Sequence, residues 1–202
     1  MASPSTIVWM VRHTAAEGSE GRCCGRWDVP LSDEGIRQAH RVAHMLQSEP
    51  FTQVYSSSLM RAVQTARIIA EPRHLAVEPV ADLAEIHFGD LESLTYSEIE
   101  RQFPEVFRSW MRSPTEIEFP NGESFARMRA RIWRAMESLI SRHTDETILI
   151  VSHAGVIRVL LGRALGMPDD MIFRLSQNYG AINRIDYLES GPIVQLVNGS
   201  PL

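Results

Sequence analysis

Two short apolar runs, Ile7–Val11 (IVWMV) and Thr147–Val151 (TILIV), each break off at a polar pair that contains a histidine, Arg12-His13 and Ser152-His153. Such short runs, rich in β-branched side chains, predict strands covered on both faces. Around them, strand-like and helix-like segments alternate. After a polar, glycine-containing loop to Leu31, Ser32 is placed to cap a helix whose apolar positions Ile36, Ala39, Ala43 and Leu46 recur at helical spacing. Gln53–Tyr55 predicts a second strand, ended by Ser56-Ser57-Ser58, and Leu59, Val63, Ala66 and Ile69 line one face of the next helix. Leu75–Val80 reads as a third strand leading to Glu85, and Thr95–Arg112 as two short helices broken near Pro104. The turn signal Pro120-Asn121-Gly122 precedes the longest amphipathic helix, marked by Phe125, Met128, Ile132, Ala135 and Leu139. A helix through Leu165 follows Thr147–Val151, and Ala181–Tyr187 and Ile193–Val197 close the chain as strands.

This alternation predicts an α/β three-layer sandwich, a mainly parallel sheet with helices on both faces. The 202 residues are enough for one large domain, and no repeat, linker or low-complexity tract divides them. We expect a single domain over 1–202, with the strand-poor segment at about 85–122 as a helical cap. A net charge of -5 argues against nucleic acid or an anionic membrane as partner. It does not argue against a small anion, because local arginines, the basic residues of this chain, can reverse the field in a cleft. Cys23 and Cys24 are adjacent and cannot staple distant parts of the fold. Residues 1–6 are too short and polar for a secretion signal, and no apolar run approaches a membrane span. A cytoplasmic protein is expected.

Four chemically capable groups fall at or just beyond the carboxyl ends of predicted strands: Arg12-His13, the Ser56–Arg61 turn, Glu85 and His153. Open α/β sheets bind ligands at that edge. Arg12 and Arg61 can each present a guanidinium fork to phosphate oxygens, and their charge favours a neutral His13 with a lone pair free for attack. Glu85 can give a proton to a leaving alkoxide and later take one from water. His153 can hold a phosphoryl oxygen, helped by backbone N–H groups where Ala154-Gly155 open a helix. Each residue singly has a plainer explanation: a solvated Arg-His pair, a capping histidine, a surface arginine paired with a carboxylate. Their joint placement supports a site without identifying the reaction.

With those residues in view, the sequence resembles the histidine phosphatase superfamily, which includes cofactor-dependent phosphoglycerate mutases. The resemblance is carried by VWMVRH, GRWDVPLSDEGIRQA, SSLMRAVQTA, LAEIHFGDLES and IVSHAGVIR, in order, from about Ile7 to Asn183. It implies His13 as nucleophile, Arg12, Arg61 and His153 as phosphate pocket, Glu85 as proton donor, and no metal or organic cofactor. RHT followed by GRCCGRWDVPL, and PNGES before the long helix, are similar to α-ribazole-5′-phosphate phosphatases of cobalamin assembly. On that resemblance Ser19, Cys24, Gly25 and Ala154 are expected to line the substrate pocket. The chain departs from the family at Thr14-Ala15-Ala16, at Ser19 where an Asn is usual, and at Ser93 where a Gly is usual.

The partner expected is therefore a phosphorylated small molecule, with a homodimer left open. Alternatives are a phosphoglycerate mutase-type phosphotransferase, a broad-specificity phosphatase, and a catalytically silent binding module. The short chain lacks the insertions usual in the mutases, which favours hydrolysis, and a silent relative has no need of all five catalytic groups. His40 and His44 lie one helical turn apart but lack the intervening Glu of a zincin. Glu123-Ser124 read as a helix start, Cys24 as a pocket or packing thiol, and Trp110 and Trp133 as packing residues.

Overall fold

The computed structural model describes residues 5–200; residues 1–4, part of the polar N-terminal stretch considered above, and 201–202 lie outside it. Six strands, β1 (Ser5–Arg12), β2 (Gln53–Ser57), β3 (Val77–Val80), β4 (Thr147–Ser152), β5 (Ile182–Leu188) and β6 (Gly191–Gly199), form one sheet in the order β3-β2-β4-β1-β5-β6. The β1–β4, β2–β3 and β2–β4 pairs are parallel, while β5 lies antiparallel to both β1 and β6. The sheet is thus mainly parallel, with an antiparallel edge. β4 is buried along its whole length and sends alternate side chains to opposite faces. Ile148 and Ile150 join one core with Val8, Met10 and Ile185, whereas Leu149 and Val151 join a second with Val11, Val54 and Ile182. That period of two is why the β4 run is apolar without a break.

Helices α1 (Asp33–Met45) and α2 (Met60–Ala70) close the second core, and α5 (Phe125–Arg142) and α6 (Ala154–Ala164) close the first. Ser32 caps α1 by accepting from Gly35 N, and Ser124 caps α5 by accepting from Arg127 N. The inward face of α1 differs from expectation. Gly35, Ala39, Val42 and Ala43 are buried, while Ile36 is 42% exposed. The reason is a close approach at Gly35, where any Cβ would collide with the Ala15 carbonyl oxygen. The helix lies against that loop by its glycine, which turns Ile36 outward. In α2, Ala62 rather than Val63 packs inward beside Ala66 and Ile69.

Between β3 and α5 the chain forms no strand of the sheet. It runs through a short helical turn at Ala81–Leu83, a loop carrying Glu85, and helices α3 (Tyr96–Gln102) and α4 (Pro104–Arg112). Thr95 and Glu98 form a reciprocal capping box on α3, and Pro104 at the start of α4 enforces the break. Phe88, Trp110 and Phe119 stack with centroids 4.8–5.3 Å apart, which ties α4 to the loop after Glu85.

Candidate active site

Parallel register brings the histidines together. Arg12 of β1 pairs with Ser152 of β4, and His13 N donates to Ser152 O at 2.8 Å, so His13 and His153 leave the sheet side by side. Their ring centroids lie 5.0 Å apart. β2 is registered on the other side of β4, and its Ser57 Oγ sits 2.7 Å from His153 Nε2. A sheet edge carries these groups because successive parallel strands end at one level.

The His13 side chain is held in one orientation by Nδ1, 2.8 Å from the carbonyl oxygen of Thr14. A carbonyl only accepts, so Nδ1 carries the proton and Nε2 carries the lone pair. Arg61 Nε donates to that Nε2 across 3.3 Å, a long bond for an N–H donor. Burial pushes the His13 pKa well below its ordinary value, and the Arg61 and Arg12 charges push it the same way. The ring is therefore neutral at ordinary pH, in the tautomer that a nitrogen nucleophile needs.

Arg61 is 1% exposed and has no carboxylate partner among the described residues. Its Nη1 and Nη2 donate to the carbonyls of Trp27 and Gly25 at 2.9 and 2.6 Å. The loop that reads as a polar connection thus has a structural task, since it aims the guanidinium. Arg12 lies with its guanidinium carbon 4.0 Å from the centre of the Tyr179 ring and donates to Gln177 O at 2.6 Å. Arg12 Nε and His153 Nδ1 are buried with no partner. Leaving such a group unsatisfied costs about 1–3 kcal/mol, which an anionic ligand can recover. Burial lowers the pKa of both arginines without threatening their charge.

Glu85 reaches the cavity from the loop after the Ala81–Leu83 turn. One carboxylate oxygen accepts from Ile86 N at 3.0 Å and the other from Gly155 N at 3.1 Å. The first turn of α6 therefore holds the carboxylate as well as offering backbone donors. Arg12, His13, Arg61, Glu85, Ser19, Cys24, Gly25 and Ala154 all line one cavity of about 480 Å³. His153 is fully buried beside His13, with its Nδ1 still unpartnered in the floor of the site. Ser19 Oγ donates to Ala16 O at 2.7 Å and lies 3.2 Å from the Tyr179 hydroxyl. Cys24 is half-buried, and desolvation raises its thiol pKa. Those side chains can bind a phosphate dianion, accept a phosphoryl group on nitrogen and move a proton.

Several site residues escape a reading of the sequence. Tyr179 and Gln177 come from the loop before β5, and Arg158 lines the cavity from α6. Trp110, expected only to pack, also forms cavity wall with Phe88 and Phe119. For Arg158 a signal existed, since it lies one helical turn beyond Ala154; nothing local marks Tyr179. Ser124 is the helix cap expected of it, whereas Glu123 is buried on Arg131. His40 and His44 stand on the exposed face of α1, and among the described residues no three His, Cys, Asp or Glu side chains gather as a metal site requires. No helix among these residues is long and apolar enough to cross a membrane.

Comparison with known proteins agrees with the geometry. The family model described as histidine phosphatase superfamily (branch 1) matches residues 8–200. The adenosylcobalamin/alpha-ribazole phosphatase of Salmonella typhimurium is 30% identical over 192 residues, 95% of each chain. Phosphoserine phosphatase 1 of Hydrogenobacter thermophilus is 35% identical over 159 residues, covering 78% of this chain and 75% of that one. Among solved structures, a putative alpha-ribazole-5'-P phosphatase from Escherichia coli superposes with a TM-score of 0.89 at 29% identity, covering 96% of both chains. With a matching fold, a paired-histidine sheet edge and a family model spanning nearly the whole chain, this protein is a phosphatase that belongs to the histidine phosphatase superfamily.

Proposed function

We propose that the chain hydrolyses a small phosphate monoester through a phosphohistidine on Nε2 of His13, and that its substrate is α-ribazole-5′-phosphate. The observation that carries the chemistry is the His13 tautomer. Its proton is committed to Thr14 O, so the lone pair of Nε2 lies beside Arg61 in the cavity. In the first step Nε2 bonds to phosphorus as the ester P–O bond breaks, and the Glu85 carboxyl proton passes to the departing oxygen. In the second, Glu85 takes a proton from water, whose oxygen bonds to phosphorus as the P–N bond breaks. Inorganic phosphate leaves, and His13 and Glu85 return to their starting states. Arg12, Arg61 and His153, with the α6 N-terminus at Ala154, stabilise charge on the phosphoryl oxygens.

Support for the leaving group comes from the relatives that cover 95% or more of both chains, and from a cavity wall of Phe88, Trp110 and Phe119 suited to a planar apolar group. A second substrate class, a small phosphorylated acid, is favoured by Arg158. It lines the same cavity and has no carboxylate partner among the described residues. We further propose one domain with residues 85–122 as its cap, acting in the cytoplasm without nucleic acid or membrane. Its net charge of -5 suits that setting; a homodimer is compatible with it.

Rapid quenching during turnover, followed by peptide mapping, tests the chemistry. Acid-labile, base-stable phosphate on His13 is expected, and label on a serine, or a His13→Ala variant with near-normal activity, refutes the assignment. Phosphate release from α-ribazole-5′-phosphate, phosphoserine and phosphoglycerates ranks the substrates. Accumulation of a phosphoglycerate isomer in place of free phosphate would show mutase action.

A further inference from the structure

The loop that carries Glu85 has no strand partner, yet side-chain and backbone bonds tie it on both sides of the acid. Arg131, on the buried face of α5, is 6% exposed. Its guanidinium donates to Asp82 O at 2.7 Å, Ala84 O at 2.6 Å and Glu85 O at 3.0 Å. The remaining two donors form a fork on Glu123 at 2.7 and 2.9 Å. All five N–H groups of one side chain are thus used, and three of them converge on carbonyls within four consecutive residues. Glu123 continues the restraint beyond the acid. It accepts from His87 N at 3.3 Å, and its own backbone N–H donates to His87 O at 2.8 Å. Arg26 adds a second cation, 3.6 Å from the Glu123 carboxylate. The pair therefore grips the chain on both sides of Glu85 while touching neither the cavity nor the phosphate-binding groups.

We propose that Arg131, oriented by Glu123, is a positioning residue for the proton donor: it holds the backbone of Asp82–His87 so that the Glu85 carboxyl stays at the leaving-group oxygen. This rests on Glu85 acting as the acid. Burying a bidentate Arg–Glu pair is a poor route to stability, because desolvation offsets most of the attraction. Its geometric effect is large, since a planar fork that reaches three carbonyls fixes a loop in a way one lysine ammonium cannot. The ends of the pair lie eight residues apart across the start of α5, a spacing that places no side chains together on a regular helix.

Arg131→Lys keeps the charge and loses the fork. We expect kcat/KM for an alkyl phosphate to fall about 10²-fold, as a misplacement of about 1 Å does. For p-nitrophenyl phosphate, whose leaving group needs little protonation, the loss should stay below about 5-fold. Because the proposed action passes only through Glu85, adding Arg131→Lys to Glu85→Gln should cost less than about 3-fold further on the alkyl phosphate. Should Arg131→Lys fail to fold, Glu123→Gln keeps the three carbonyl bonds and carries the same comparison, with a selective loss of about 10-fold expected. Equal losses on both substrates, or a full additional loss in the Glu85→Gln background, would overturn the positioning role. If Glu85→Gln itself loses equally on both substrates, the proton-donor assignment fails, and this proposal fails with it.

Discussion

Gly155 is the residue at which a single methyl group should separate chemistry from folding. It donates its N–H to Glu85 at 3.1 Å, and the two are close enough that no side chain fits between them. A Cβ at Gly155 would collide with one Glu85 carboxylate oxygen and lie 3.2 Å from the carboxyl carbon and 2.9 Å from Met128 Cε. The methionine methyl is the end of a flexible side chain and can give way. The carboxylate can move only by giving up its bonds, because Ile86 N and Gly155 N hold its two oxygens in place. In Gly155→Ala it must therefore withdraw by about 1 Å, a displacement that costs on the order of 10²-fold in rate when it affects a catalytic group. Stability should change little. Alanine in the first turn of α6 recovers part of the roughly 1 kcal/mol helix preference over glycine, which offsets a strained hydrogen bond of similar worth. At this chain length, 1 kcal/mol moves Tm by about 2–4 °C. We expect an alkyl phosphate to lose about two orders of magnitude in kcat, p-nitrophenyl phosphate only a few-fold, and Tm to stay within about 4 °C. Unchanged turnover of the alkyl phosphate would show that the Glu85 carboxylate is not the proton donor or is not held by α6. A large fall in Tm would show that the glycine serves packing.

Three further outcomes follow from the same structure. His13 and His153 are buried with pKa values well below the ordinary one, so below about pH 6.5 the unfolded chain binds protons that the folded chain refuses. Stability should then fall as pH falls, approaching about 2.7 kcal/mol per pH unit for the two groups together, and a denaturant midpoint independent of pH between 7 and 5 would exclude a neutral pair. Ser93, where the family usually has glycine, sits at a φ of 68°. Ser93→Gly should relieve strain and gain about 0.5–1 kcal/mol, read as a higher calorimetric Tm; a lower Tm would mean that the serine is not strained there. Dialysis against chelator should leave turnover unchanged, because in the proposed mechanism Arg12 and Arg61 supply the positive charge on phosphate; loss restored by one divalent metal would contradict that.

What the amino-acid order decided by itself is local. The apolar runs Ile7–Val11 and Thr147–Val151, the caps Ser32 and Ser124, the Pro104 break and the positions of Arg12, His13, Arg61, Glu85 and His153 at or beyond strand ends were all legible, because pattern, capping and strand ends act within a few residues. What needed the folded chain is whatever depends on partners distant in sequence. Ile36 reads as a core position and faces solvent, since the Ala15 loop presses on Gly35. Pairing of β5 antiparallel to β1 brings Tyr179 over Arg12, and no periodicity near Tyr179 announces it. Trp110 becomes cavity wall only through the stacking of Phe88 and Phe119 beside it. Arg131 and Glu123 look like ordinary charges at a helix start, and become a clamp because the Asp82–His87 loop folds back onto α5 and turns the carbonyls of Asp82, Ala84 and Glu85 toward the Arg131 guanidinium. A chemical group can be recognised from its type and its place at a strand end. The groups that hold it in position are chosen by tertiary contacts between segments tens of residues apart.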